Sequence, residues 1–196
     1  MNAFYAVIRF LVLLYYKLIY FAVVEGVENM PSEGGFVICS NHKSNNDPPL
    51  IAVLLPRQLK FLAKKELFKN KLIGHFLKSI GAISLNRGAA DISAVKHCMS
   101  VLKKGYGLLV FPQGKRLQRL ELKDFHGGSV LIAQRMNVPI VPAYISGEYK
   151  PFHRTKLILG KQIMPETVNK LAEESENKEK AAAELIYNSI SSLSKG

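Results

Sequence analysis

The side chains best suited to catalysis by type and spacing are His42 and Asp47, which stand five positions apart in the stretch SNHKSNNDP. A carboxylate that accepts a hydrogen bond from one nitrogen of an imidazole leaves the other nitrogen free to act as a general base. The prolines after Asp47 also fit the start of a helix, in which case Asp47 would only be its N-cap and His42 an ordinary loop residue. The residues alone leave both interpretations open, and the two are compatible.

The elements that must position this pair are predicted from short apolar runs that alternate with helical stretches. Strands are predicted at residues 35–39, 59–63, 81–85, 107–111, 139–145 and 156–159. Helices are predicted at residues 48–55, 71–79, 89–104 and 127–135, and near the C-terminus, where one apolar stripe is formed by Ala182, Leu185, Ile186, Ile190 and Leu193. This alternation predicts an α/β fold with a largely parallel or mixed central sheet flanked by helices. His42 then follows the C-terminal end of a strand, where open α/β sheets bind ligands.

The N-terminal residues 3–24 are apolar or aromatic except for Arg9 and Lys17. A secretory signal would carry its cations before the apolar run, so we expect this segment to be retained. On a helix the two cations lie about 80° apart and can share one sector that faces lipid headgroups. Lying in the membrane interface is favoured over spanning, because each charge at the bilayer centre costs about 2.5 to 3.5 kcal/mol. We expect a membrane-associated helix in residues 1–26 and a folded domain in residues 27–196; a core helix of that domain is the alternative.

The chain of 196 residues carries 27 Lys and Arg against 15 Asp and Glu, a formal net charge of +12. This excess predicts attraction to polyanions, namely lipid headgroups, nucleic acid or an acidic carrier protein. The two cysteines, Cys39 and Cys98, form no disulfide framework, which fits a reducing compartment. The five histidines are scattered without a metal-binding motif, so we predict no metal site. No aromatic and basic recognition motif is present, and we predict no nucleic-acid partner.

Five blocks of the sequence, taken in order, resemble the lysophosphatidic acid acyltransferase family of glycerolipid acyltransferases. NHKSNNDP is similar to the NHxxxxD block of that family, and FPQGKRL at residues 111–117 resembles its FPEGTRS block. The other matching blocks are GAISLNR at residues 81–87, FHGGSVLIA at residues 125–133 and VPAYISG at residues 141–147. Together they cover about residues 35–147 and identify the acyltransferase domain, which ends in the C-terminal helix.

The resemblance implies a role for each matching residue. His42 is expected to be the general base and Asp47 the carboxylate that orients it, with no covalent intermediate. The acceptor's phosphate is expected at Arg87, Lys115 and Arg116. The full set of substrate-binding residues expected from these blocks is Asn41, Arg87, Phe111, Pro112, Gln113, Gly114, Lys115 and Arg116. No cofactor or metal is expected.

The FPQGKRL block departs from the family pattern, because Gln113 stands in place of a glutamate and Lys115 in place of a threonine. Both changes make the local charge more positive. Glutamine keeps most of the shape of glutamate but cannot form an ion pair with an arginine. The sequence leaves open tighter phosphate binding, a different acceptor or weaker activity.

The expected function is transfer of a fatty acyl chain from an acyl carrier protein or coenzyme A thioester to 1-acylglycerol 3-phosphate, making phosphatidic acid for phospholipid biosynthesis. We expect the enzyme at the cytoplasmic face of the cell membrane, attached as a monotopic or peripheral protein by its N-terminal helix and in contact with membrane phospholipid. One alternative is acylation of another lysolipid or of an amino-lipid. The other is a catalytically silent, basic module that binds lipid or nucleic acid.

Overall fold

The computed structural model describes residues 3–79, 81–85 and 91–195, and in these ranges it contains one sheet of seven strands. The strands are β1 (Val23–Glu25), β2 (Phe36–Ser40), β3 (Leu59–Lys64), β4 (Ala82–Leu85), β5 (Gly107–Val110), β6 (Ile140–Ser146) and β7 (Lys156–Leu159). Their order across the sheet is β1-β7-β6-β2-β5-β3-β4. The β6–β7 pair is antiparallel and the other neighbouring pairs are parallel. The predicted α/β fold with a largely parallel sheet is confirmed.

Helices flank this sheet on both faces. They are α1 (Ala3–Ile19), α2 (Asp47–Leu54), α3 (Lys71–Ser79), α4 (Ile92–Lys103), α5 (Gly128–Met136), α6 (Pro165–Glu174) and α7 (Lys178–Leu193). The apolar core on one face includes residues of α2 and Tyr16 of α1, and the core on the other face includes residues of α4, α5, α6 and α7. The layers are therefore helix, sheet and helix, as parallel strands require in order to bury both faces.

Strand β2 lies at the centre of the sheet, and its five residues are all buried. Successive side chains of a strand point to opposite faces. Phe36 and Ile38 accordingly enter the core beneath α1 and α2, whereas Val37 and Cys39 enter the core shared with the other helices. The strand that leads into the NHKSNNDP stretch is thus held from both sides, and the stretch begins from a rigid position.

The C-terminal segment contains two helices, where the sequence predicted a charged stretch followed by one helix. The charged stretch forms α6, because Pro165 suits the first turn of a helix and Val168 and Ala172 are buried one turn apart. In α7 the predicted apolar stripe is present, and its residues Ala182, Ile186 and Ile190 are buried.

The N-terminal helix α1 ends at Ile19, five residues before the end of the apolar run at Val24. Phe21 has a positive φ of 41°, which breaks the helix, and Val23 then pairs with Lys156 as the first residue of β1. Tyr16 is buried in the core of the domain. A truncation after Val24 would therefore remove an edge strand as well as α1. None of the helices in the described ranges combines the length and hydrophobicity needed to cross a membrane.

Arg9 does not share a polar, headgroup-facing sector with Lys17, contrary to the prediction. Its guanidinium donates to the carbonyls of Val53 at 3.3 Å and Leu55 at 2.6 Å, at the C-terminus of α2, where a cation is favourable. The helix α1 is apolar on two sides, so the sequence did not show which side packs on the domain and places Arg9 against α2. One side packs on the domain, and the other exposes Val7, Phe10, Leu11, Leu14 and Leu18.

Candidate active site

Asp47 is fully buried at the first position of α2, and its carboxylate organises the loop that follows β2. Oδ2 accepts three hydrogen bonds, from Nδ1 of His42 at 2.8 Å, from the backbone N–H of Lys43 at 2.7 Å and from that of Ser44 at 2.8 Å. Oδ1 accepts a hydrogen bond from the hydroxyl of Tyr149 at 2.7 Å. Asn46 is the N-cap residue, so the alternative interpretation of Asp47 as only an N-cap is wrong. The carboxylate instead binds the loop and the imidazole.

His42 is held from the opposite side by the segment that follows β5. Its ring stacks on Phe111, with ring centroids 4.1 Å apart and an angle of 22° between the planes. Its backbone N–H donates to Oε1 of Gln113 at 2.9 Å, and its carbonyl accepts from the N–H of Leu117 at 2.8 Å. The side chain keeps 12 % of its surface exposed. Since Nδ1 is bonded to Asp47, Nε2 is the nitrogen available to a substrate.

Two cavities meet at His42, which lines both of them. The first has a volume of about 570 Å³ and is here called the polar cavity after its polar side chains Gln113, Lys115, Lys123, Asp124 and His126, although apolar residues that include Leu62, Leu85, Val110 and Phe111 also line it. The second, here called the apolar groove, has a volume of about 580 Å³, and its lining includes Ile8, Val12, Ala52, Val53, Phe61 and Leu67. A histidine at the junction can reach two reactants that enter from different sides.

Two of the three predicted phosphate-binding cations lie at these cavities. Arg116 lines the apolar groove, and its Nη1 donates to Oδ1 of Asn45 at 2.9 Å, which leaves an exposed guanidinium beside the groove. Lys115 lines both cavities and forms an ion pair with Asp124 at 2.9 Å. Arg87 lies outside the described residues. The extra positive charge of Lys115 is thus offset by the carboxylate of Asp124.

Three of the predicted substrate-binding residues are buried and form hydrogen bonds with other parts of the protein. Asn41 is buried and its amide bonds to both backbone groups of Ile145 in β6, at 3.2 Å and 2.7 Å. Pro112 is buried, and its carbonyl accepts from the N–H of His126 at 3.1 Å. Gln113 is buried and, besides its bond to His42, donates from Nε2 to the carbonyl of Arg119 at 3.4 Å. A carboxylate at position 113 could not make this last bond, so the glutamine matches its surroundings.

The nucleophilic side chains near the pair are not activated. Cys39 is buried, and burial raises the pKa of its thiol to about 12, so a thiolate does not form near neutral pH. The hydroxyl of Ser44 accepts from the backbone N–H of Asn46 at 3.2 Å. Within the described ranges no three His, Cys, Asp or Glu side chains are grouped as a metal site would require. The arrangement can therefore accept a proton from a substrate hydroxyl without an enzyme nucleophile.

Sequence reasoning missed Tyr149, the residue that bonds to the second oxygen of Asp47. The available signal was its position, two residues after Gly147 at the end of the VPAYISG block. The parallel pairing of β2 with β6 brings the ends of these strands to the same edge of the sheet. A polar aromatic residue just beyond β6 was therefore a candidate for contact with the His42 loop.

Known proteins resemble this chain over most of its length. A family model described as Acyltransferase matches residues 22–146. The 1-acyl-sn-glycerol-3-phosphate acyltransferase of Bacillus subtilis is 35% identical in an alignment of 173 positions that covers 77% of this chain and 86% of that protein. The lyso-ornithine lipid O-acyltransferase of Pseudomonas aeruginosa is 32% identical over 108 residues, 55% of this chain and 41% of that protein.

A solved structure has the same fold. It is the crystal structure of the 1-acyl-sn-glycerophosphate (LPA) acyltransferase PlsC from Thermotoga maritima, with a TM-score of 0.68 and 26% sequence identity, covering 89% of this chain and 73% of that one. The residues that the family model matches include the His42–Asp47 loop. The chain therefore belongs to the acyltransferase family that includes the 1-acyl-sn-glycerol-3-phosphate acyltransferases.

Proposed function

We propose that this protein transfers a fatty acyl chain from an acyl thioester to the free hydroxyl of 1-acylglycerol 3-phosphate, which yields phosphatidic acid. The observation that carries the proposal is the His42–Asp47 pair at the junction of a polar cavity and an apolar groove. Family membership supports the reaction class, and the geometry of the pair supports the assignment of residues.

In the proposed reaction His42 is the general base and Asp47 orients it. Nε2 of His42 takes the proton of the acceptor hydroxyl while the hydroxyl oxygen attacks the thioester carbonyl. Asp47 stabilises the imidazolium that forms, as the acid does in a serine hydrolase triad. The new C–O bond forms, the C–S bond breaks, and the imidazolium returns its proton to the departing thiolate. The buried thiol of Cys39 supports direct transfer without an acyl-enzyme.

The shape and charge of the two cavities support a placement of the substrates. In a lysophosphatidic acid the free hydroxyl lies between the phosphate and the acyl chain. With the chain in the apolar groove and the phosphate at Arg116, the hydroxyl would reach His42. The thioester, carried by acyl carrier protein or by coenzyme A, would then enter through the polar cavity.

A second acceptor class is favoured by one of the relatives, which is named as an acyltransferase of lyso-ornithine lipid. Such an amino-lipid carries no phosphate, and the single carboxylate of its ornithine group is balanced by an ammonium. Arg116 therefore favours the phosphomonoester, whose larger negative charge gains more from a charge-assisted hydrogen bond.

We also propose that the protein attaches peripherally to the cytoplasmic face of the membrane through α1. The exposed side of α1 is apolar, and such patches mark interaction surfaces. The net charge of +12 favours anionic lipid. Ile8 and Val12 of the same helix line the apolar groove, so a lysolipid in the bilayer would lie next to the groove. The free thiols of Cys39 and Cys98 fit a reducing compartment.

Replacing the general base tests the reaction directly. We expect His42→Ala to lower kcat by about a hundredfold or more, and Asp47→Asn to impair turnover severely, because proton removal from the hydroxyl is lost. Transfer of labelled acyl chains by purified protein measures this. His153→Ala is the matched control, since His153 is exposed and lines neither cavity. Near wild-type turnover of His42→Ala, with the fold intact, would contradict the proposed mechanism, whereas absence of turnover by the unaltered protein would favour a silent lipid-binding module.

Removal of the guanidinium at the groove tests the acceptor. We expect Arg116→Ala to raise KM for lysophosphatidic acid about tenfold, equivalent to about 1.4 kcal/mol, with little change for lyso-ornithine lipid. Kinetics with a panel of lysolipids measure the difference. Arg119→Ala is the control, because this exposed arginine is close in sequence but lines neither cavity. An equal loss with every acceptor would show that Arg116 does not read the phosphate.

Charged substitutions on the exposed side of α1 test membrane attachment without removing β1. We expect the double variant Leu11→Asp and Leu18→Asp to lower partitioning onto anionic phospholipid vesicles at least about tenfold, because both side chains would enter the acyl region. Leu72→Asp is the control, since this exposed leucine lies on α3. Vesicle sedimentation measures binding, and a melting temperature verifies the fold. Unchanged partitioning of the double variant would remove α1 as the attachment site.

A further inference from the structure

We propose that Tyr149 is a positioning residue that fixes the plane of the Asp47 carboxylate and so keeps His42 aligned for proton transfer. This inference rests on the proposed function, because it gives Tyr149 a part in the same reaction. The hydroxyl of Tyr149 donates to Oδ1 of Asp47 at 2.7 Å. The bonds from His42, Lys43 and Ser44 all go to the other oxygen, Oδ2.

This division between the two oxygens matters for the geometry of the pair. Rotation of the carboxylate about its Cβ–Cγ bond moves both oxygens, so the three donors on Oδ2 restrain it. A fourth donor on Oδ1 narrows the remaining rotation and with it the spread of hydrogen-bonding directions offered to His42. The donor is a neutral hydroxyl, because burial and the charge of Asp47 raise the pKa of Tyr149. It therefore satisfies a buried acceptor without adding a second charge.

Tyr149 is itself held in place by a contact of its ring and by a hydrogen bond to the chain two residues before it. Its ring packs edge to face on Tyr20, with centroids 5.6 Å apart and an interplanar angle of 88°. Just before it, the carbonyl of Gly147 accepts from Nζ of Lys43 at 2.5 Å, which joins this segment to the His42 loop. Tyr16 of α1 donates to the carbonyl of Asn46 at 3.2 Å in the same loop. The N-terminal helix therefore contributes to the support of the catalytic carboxylate.

The variant Tyr149→Phe tests this role, because it keeps the ring and removes only the hydroxyl. We expect kcat to fall about tenfold and the melting temperature to fall by a few degrees, because Oδ1 of Asp47 loses its donor, while KM for the thioester and for the lysolipid stays near wild type. Tyr20→Phe is the matched control, since its hydroxyl bonds to Tyr15 and not to Asp47. In an Asp47→Asn background the additional loss from Tyr149→Phe should shrink to less than about twofold, because the hydroxyl acts through the carboxylate.

Parallel measurement of His42→Ala separates the inference from the proposed function. If His42→Ala is inactive and Tyr149→Phe stays within about twofold of wild type, Tyr149 has no positioning role. A Tyr149→Phe protein that loses kcat together with a raised KM for both substrates would also overturn the inference, because a raised KM indicates a general disturbance of the cavities. If His42→Ala remains active, the proposed role of His42 is wrong and the inference fails with it; if the unaltered protein transfers no acyl chain, the proposed function is wrong.

Discussion

The site depends on one constraint, the need to satisfy a carboxylate that is buried at the start of a helix. A buried charge without hydrogen bonds is costly, and Asp47 meets this requirement with four donors. Two donors are backbone groups of its own loop, one is an imidazole and one is a hydroxyl from beyond β6. The four hydrogen bonds to this carboxylate therefore fix the conformation of the loop, orient His42 and connect the loop to the segment after β6.

The topology of the sheet makes this convergence possible. β2 lies between β5 and β6 and runs parallel to both, so the residues that follow these three strands meet at one edge. His42 follows β2, Phe111 follows β5 and Tyr149 follows β6, although they are far apart in the sequence. The cavities open at the same edge, where both reactants can approach the imidazole.

Much of this arrangement could be predicted from the sequence, because buried parallel strands appear as continuous apolar runs and the His42–Asp47 pair falls directly after one of them. The roles that were missed belong to residues whose partners are backbone groups or distant side chains. Arg9 was assigned to headgroups but bonds to carbonyls at the C-terminus of α2, and Gln113, which was expected at the substrate, also holds the His42 loop by a hydrogen bond. β1 was hidden within an apolar run that continues α1. Tyr149 has an aromatic side chain that periodicity cannot distinguish from a core residue.

The central claim is that Asp47 holds a proton on Nδ1 of His42 and leaves Nε2 free to receive one. The imidazole nitrogen chemical shifts of His42, measured by NMR on ¹⁵N-histidine-labelled protein at a pH where the ring is neutral, test this claim most directly. We expect a single tautomer that carries its proton on Nδ1, because that nitrogen donates to Asp47. A ring protonated on Nε2, or an averaged mixture of both tautomers, would contradict it.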